Sequence, residues 1–578
     1  MSHNEKDYYA EDKNGSLEKG ADTTQAPIAR DDPRYHFDPH DLDQVQRRLK
    51  QRHVQMIAIY SGYGQIAGTI GTGLFLGSGK ALARAGPAGA LIAYIHVGSI
   101  AYSSLCAVGE MTCFAPISGS FPHFAARWVD PAFGFAVGWN YFYTQCITVP
   151  VEVTAAQIIL TFWDESHTRG IAYTAIIIVL MCSINLFGVR YFGESEFIFA
   201  IIKRRCQSFL IPFHGNLPPP SPSVSLITGL ILVGLVIDLG GGPDHDRRGF
   251  RYWKNPGAFN TYMVDEPVSL GRFLGILGVL IQAAFSFQGM ELVAIAASET
   301  ENPRRNIAKA VRRVFYRIVV FYILGILVTG MIVPYDSPDL LQDTGTGAQS
   351  PYVIAIKLAG IKALPHIINA CVFTSAFSAG NSFLFTASRI LYGLAVRGQA
   401  PRIFTKCTKN GLPIASVGFC SLFSLLAFMN VSTDGATVFN WLVNLTTIGG
   451  FFTWWAINCT YVRFYQGLRA QGIDRTKFIY YSGLQPYLSY WGIFWTALII
   501  IINGFAVFFD FNASDFITCY INIPIFFALF FGWKIFKRTQ FWKTQDMDFT
   551  TGIPSIEETE SPELPPKNFG EKVFNIIF

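Results

Sequence analysis

The chain has 578 residues, 51% of them hydrophobic and only 15% charged, with 51 phenylalanines; soluble domains carry about a quarter charged residues, so a soluble multidomain protein is excluded. The formal charge of +5 is spread without a basic stripe that could track a phosphate backbone, which argues against nucleic acid as a partner. The apolar runs are long and contain glycine, unlike the alternating ten-residue strands of an outer-membrane barrel, so the class is an all-α polytopic membrane protein.

Residues 1–52 are polar and lack the basic-then-apolar opening of a cleavable signal peptide; they read as a disordered cytoplasmic tail. Apolar runs then predict twelve transmembrane helices, near 54–82, 88–112, 133–163, 171–189, 196–237, 271–298, 314–334, 364–395, 414–432, 438–464, 489–510 and 515–536. An even count puts both termini on one side. Arg47, Arg48, Lys50 and Arg52 before the first span, and Arg304, Arg305, Lys309, Arg312 and Arg313 between the sixth and seventh, make that side the cytoplasm. The 238–270 connection dissents with Arg247, Arg248, Arg251 and Lys254, but it is long and mixed in sign. Residues 538–578 form a second cytoplasmic tail, and ten scattered cysteines without CxxC or metal-ligand spacing read as small core residues.

Two apolar runs carry glycine where a helix is weakened by it. Gly68, Thr69, Ile70, Gly71, Thr72 and Gly73 place three glycines in six residues of the first span. An unwound break there frees N–H groups for a carboxylate near the bilayer midplane; close helix packing through small residues is the competing reading. Gly289, beside Gln288 and Glu291 in the sixth span, is the partner break that an inverted repeat requires. Glu291, Glu152 in the third span and Lys203 in the fifth are ionisable at membrane depth, and serve either proton exchange or an internal ion pair or polar brace. Asn381, Ser382, Thr386 and Ser388 in the eighth span could line a cavity or bond across helices. Gly62, Gly64 and Ala67 satisfy a dinucleotide fingerprint, but no βαβ unit surrounds them.

At these residues the chain resembles the fungal amino-acid permeases, the yeast amino acid transporter family of the amino acid–polyamine–organocation superfamily, from about His53 to Gly552. The likeness rests on strings such as GTIGTGLFLGSGKAL, GEMTCFAPISGSFPHFAARW, VEVTAA, FQGMELVAIAASETENPRRNIAKAV, SAFSAGNSFLFTASRILYGLA and FNWLVNLTTIGGF. The resemblance implies a 5+5 inverted repeat (LeuT-like) with two appended helices, proton-coupled amino-acid symport at the plasma membrane, and no cofactor, metal or covalent catalysis. By position, the backbone of Gly68 to Gly73 would take the substrate carboxylate. The stretch Phe285, Ser286, Phe287 to Gly289 would offer carbonyls to the α-amino group, with Phe287 a candidate gate. Glu291 would contribute to proton coupling or gating, Lys203 would stand where some relatives have a lysine in place of a coupling ion, and Lys6, Lys13 and Lys19 are candidate acceptors of ubiquitin.

Two segments depart from the family pattern: Tyr60 to Ala67 in the first span, and the proline-rich Arg204 to Ser225 in the fifth. Proline cannot continue a helix, and both read as gene-model artefacts, the second a short intron translated in frame. The alternatives to transport are an amino-acid sensor on the same fold and a product made non-functional by the two insertions.

Overall fold

In the computed structural model the described residues run from 65 to 555, without 118–119, 165, 188–191, 193, 196–197, 200–221, 292–301, 342–349, 409–410 and 432–434. Among them there is no strand, and one isolated antiparallel bridge joins Leu239 to Arg247.

The first two predicted spans form one helix, α1 (Gln65–Phe114), bent at Gly86. Gly86 has φ +72°, and a Cβ there would lie 2.8 Å from the Asn260 nitrogen and 2.9 Å from the Ala258 oxygen, so only glycine fits. The 258–260 segment restores hydrogen bonds at the bend: Ala88 N donates to Ala258 O at 2.9 Å and Asn260 N to Ala85 O at 3.1 Å. The predicted break at Gly68–Gly73 is therefore corrected, because α1 is helical there and its non-helical residue is Gly86. Each glycine costs a helix only about 1 kcal/mol, less than an unsatisfied backbone group in lipid. Gly73 also gains close packing, since a Cβ on it would sit 2.9 Å from Ser286 Cα.

After α2 (Ser120–Trp128), Asp130 caps α3 (Pro131–Leu160) by accepting from Ala132 N at 2.7 Å. Then come α4 (His167–Leu186), α5 (Pro222–Asp238), α6 (Val268–Phe287) and α7 (Pro303–Arg317). A π-helical stretch, Ile318–Ile323, carries α7 into α8 (Leu324–Ile332). After two short helices, Pro338–Leu341 and Pro351–Leu358, come α9 (Leu364–Val396), α10 (Ile414–Ser424), α11 (Gly435–Ala470), α12 (Tyr487–Ile502), α13 (Ala513–Tyr520) and α14 (Asn522–Lys537). In the core, α1 lies along α6, while α3 packs against both α9 and α11.

Seven helical runs among the described residues are long and apolar enough to cross a bilayer, or eight if the bent pair α13–α14 is one span. The predicted count of twelve is not reached on that criterion: the first two predicted spans are one helix, and three others do not qualify. The apolar part of α5 described here is short, Gly229–Asp238, and most of the chain preceding the helix is outside the described residues. α3 and α11 are 30 and 36 residues long but carry many buried polar side chains, Asn140, Thr144, Gln145, Thr148 and Glu152 on the first, Thr446, Thr447 and Asn458 on the second.

Beyond α14 the chain doubles back as a strap, 541–555. Trp542 N donates to Val129 O at 3.0 Å, and Arg127 donates to Asp548 O at 2.8 Å and Thr551 O at 2.6 Å. Phe549 lies against Trp128, Phe114 and Phe464, and Arg304 donates to Pro554 O at 2.6 Å. The strap thus joins the ends of α1, α2 and α11 to the start of α7.

Candidate functional site

α6 stops at Phe287, where Gln288 turns extended (ψ 147°) and Gly289 takes φ +87°, a left-handed value that glycine alone adopts freely. The turn aims Glu291 inward. Its carboxyl accepts from Trp454 Nε1 at 3.3 Å and from the backbone amides of Glu291 and Gly289.

Opposite lies one face of α3. Thr144, Gln145, Thr148 and Glu152 follow an i, i+1, i+4, i+8 spacing, which brings them to one side of a helix. The threonines bond back to their own helix, Thr144 Oγ1 to Asn140 O at 2.8 Å and Thr148 Oγ1 to Thr144 O at 2.7 Å, so they sit in an apolar helix without stranded hydroxyls. α11 closes the third side. Thr446 Oγ1 shares a 2.6 Å hydrogen bond with Thr148 Oγ1, and Gln288 Nε2 donates to Thr446 O at 2.7 Å. Gly449 and Gly450 permit this approach: a Cβ on the first would strike Thr144 Oγ1, and on the second Gln288 Nε2.

These three helices and Phe383 of α9 line a small cavity of about 10 Å³, room for roughly one water. Of the residues predicted for the site, Glu152, Phe285, Gly289 and Glu291 line it. Others do not. Ser286 turns to α1, its Oγ 3.2 Å from Tyr94 OH. Phe287, fully buried, packs on Tyr322 at 4.3 Å and Tyr94 at 6.0 Å between ring centroids. Asn381 accepts from Asn185 Nδ2 at 2.7 Å as a brace between α4 and α9, and Ser382 offers its carbonyl to Thr386 within α9. Gly73 meets Ser286, and Gly68, Thr69, Ile70, Gly71 and Thr72 lie in helix. Lys203 is outside the described residues.

The sequence reading missed Thr144, Gln145, Thr148, Phe383 and Gly450 as lining residues. The signal was present in TQCITVPVE, where polar residues recur at helical spacing in an apolar run. It also missed a buried acid away from the cavity. Glu110, 0% exposed, accepts from Arg475 Nε and Tyr461 OH, both at 2.8 Å, and from Arg475 Nη2 and Ser482 N, both at 3.1 Å.

A likeness to solved structures addresses the fold alone. A variant of the Eremococcus coleocola manganese transporter matches with a TM-score of 0.50 at 13% identity, over 84% of this chain and 96% of that one. Sequence relatives are nearer. A proline-specific permease of Emericella nidulans is 42% identical over 92% of this chain and 94% of its own length. A dicarboxylic amino acid permease of Saccharomyces cerevisiae is 39% identical over 94% and 85%. The family profile described as amino acid permease matches residues 53–211 and 223–545. A cavity at a broken helix, an all-α bundle and a match over most of its length lead to one conclusion: the chain belongs to the amino acid permease family.

Proposed function

We propose that the protein carries amino acids into the cell across the plasma membrane by proton-coupled symport and alternating access, with both termini cytoplasmic. The observation that supports this most is the cavity at the broken end of α6, where Glu291 and Glu152 stand among hydrogen-bonding groups at membrane depth in a chain of the permease family. The substrate ammonium meets the carbonyls exposed after Phe285. The substrate carboxylate takes backbone amides of Gly68 to Gly73 and so satisfies the groups that a local unwinding there would free, each glycine already lowering the helix's preference by about 1 kcal/mol relative to alanine. Protonation of Glu291 or Glu152, with Lys203 as the further coupling group, biases the two states.

The permease unit is 53–537, between tails 1–52 and 538–578, with Lys6, Lys13 and Lys19 as ubiquitin acceptors. The family match is interrupted at 212–222, inside the proline-rich departure at 204–225, and this supports reading that segment as extra sequence.

Radiolabelled uptake of an amino-acid panel in permease-deficient yeast tests the reading, with and without a protonophore, for the full chain and for one lacking Tyr60 to Ala67 and Arg204 to Ser225. Protonophore-sensitive uptake is expected, and Glu291→Gln should lower it by about tenfold or more, equivalent to ~1.4 kcal/mol. Uptake by neither chain at matched surface levels overturns symport and leaves a sensor on the permease fold.

A further inference from the structure

The Glu291 carboxyl is tied to a neighbouring helix by one hydrogen bond. Two of its donors are amides of its own turn, those of Gly289 and Glu291; the third, Trp454 Nε1 at 3.3 Å, belongs to α11. Trp454 is 2% exposed, so its N–H meets this carboxyl rather than water. The indole is itself held in place. Phe451 packs edge-on against it, with ring centroids 5.5 Å apart, and Asn458 Nδ2 donates both to the Trp454 carbonyl at 2.9 Å and to Ser104 Oγ of α1 at 2.8 Å. A continuous path thus runs from the acid after α6, through α11, to α1, the helix that lies along α6.

Such a contact responds to a proton. A hydrogen bond to an ionised carboxylate is roughly twice as strong as one to a neutral carboxyl, so protonation of Glu291 loosens its tie to α11 and deprotonation restores it. Among the described residues, the other titratable groups facing Glu291 are on α3: Tyr141, whose hydroxyl is within electrostatic reach, and Glu152, which shares the cavity. The cavity residues Gly450 of α11 and Phe383 of α9 carry no charge.

Building on the transport reading, we infer that Trp454 is a positioning residue for the coupling acid: its indole N–H holds the ionised Glu291 carboxyl against α11, lets it go on protonation, and so sets the pH range of uptake.

The test uses the full chain in permease-deficient yeast and the amino acid carried best, with uptake per surface molecule followed from about pH 4 to 8. Trp454→Phe keeps an aromatic ring without the N–H. Its uptake profile should have a midpoint about half a pH unit or more above that of the wild type, roughly a threefold change in proton concentration, while KM for the amino acid changes less than about twofold. A packing role alone would lower uptake evenly across pH and leave the midpoint in place. In a Glu291→Gln background the same substitution should move nothing further, because the acid is gone. An unmoved midpoint in Trp454→Phe, or a shift that persists in Glu291→Gln, overturns the proposal. If Trp454→Phe fails to reach the surface, Trp454→Tyr, whose donor stands elsewhere on the ring, is read in the same way. If the wild-type chain reaches the surface and shows no uptake, the transport reading fails separately, and the melting temperatures of the purified proteins decide the role of Trp454. A bond to the ionised acid stabilises at high pH and is lost as pH falls, so the wild type should exceed Trp454→Phe by more at about pH 8 than at about pH 5. An equal difference at both overturns the assignment.

Discussion

Two buried acid centres share this bundle and are finished in opposite ways. Around Glu110 every approach is filled: a guanidinium, a phenol and a backbone amide converge on one carboxylate with no exposure. Around the cavity, Glu291 holds one indole and a turn of backbone, while Gln145 Oε1 has nothing. Burial of an acid therefore says little about function in this chain; the difference lies in whether the surrounding donors and acceptors are already matched to one another. A matched centre braces the fold, whereas the cavity side keeps hydrogen-bonding capacity in reserve at Gln145.

The contrast breaks most visibly at Arg475. Arg475→Ala leaves Glu110 buried without its cation and should cost about 3–5 kcal/mol, read as a lower melting temperature in detergent and less protein at the surface; an unchanged melting temperature would mean Glu110 is no brace. Next comes Gly450→Ala. A Cβ there displaces Gln288 from Thr446, so overpacking of about 1–3 kcal/mol should accompany a loss of uptake larger than the loss of protein, measured as uptake per surface molecule. Thr148→Val keeps shape but removes the hydroxyl shared with Thr446 and should cost about 1 kcal/mol, with KM changed more than melting temperature.

The smallest effect is on pH. Burial alone would raise the Asp548 carboxyl, but the Arg127 guanidinium, 3.0 Å away, and the amides of Thr551 and Thr550 outweigh it and hold the carboxyl below its ordinary value. A depressed carboxylate stabilises the fold above its unfolded pKa of about 4 and loses that contribution as pH falls through the lower folded value. Protease protection of 541–555 should therefore stay level from about pH 8 to 5 and decline only below about pH 4. A decline beginning near neutral pH would show that the Arg127 pair does not hold the strap.

What the sequence disclosed follows the same physics. Glu152, Glu291 and Gly289 stand out in apolar runs because a charge or a glycine is out of place there. Thr144 and Thr148 do not, since a threonine that bonds back to its own helix resembles any small residue of a membrane span. The bend at Gly86 was illegible because it is decided by residues 258–260, far along the chain, whereas the glycines at 68–73 looked like a break and include, at Gly73, a packing contact with Ser286. Phe287 was expected to face the substrate, but the ring of Tyr322 claims it. The α4–α9 brace of Asn381 is a choice between cavity and cross-helix bonding that only tertiary placement makes.

The strap has a consequence in time. Its seat is built from residues 114–128, 304 and 463–471, all of which leave the ribosome before residues 541–555. The Trp128 indole N–H, the Arg127 guanidinium and the Arg304 Nη groups meet strap carbonyls only once translation has reached that segment. A docked strap is thus a signature of a chain translated through residue 555, and a truncated product would carry an open, basic and aromatic groove in its place.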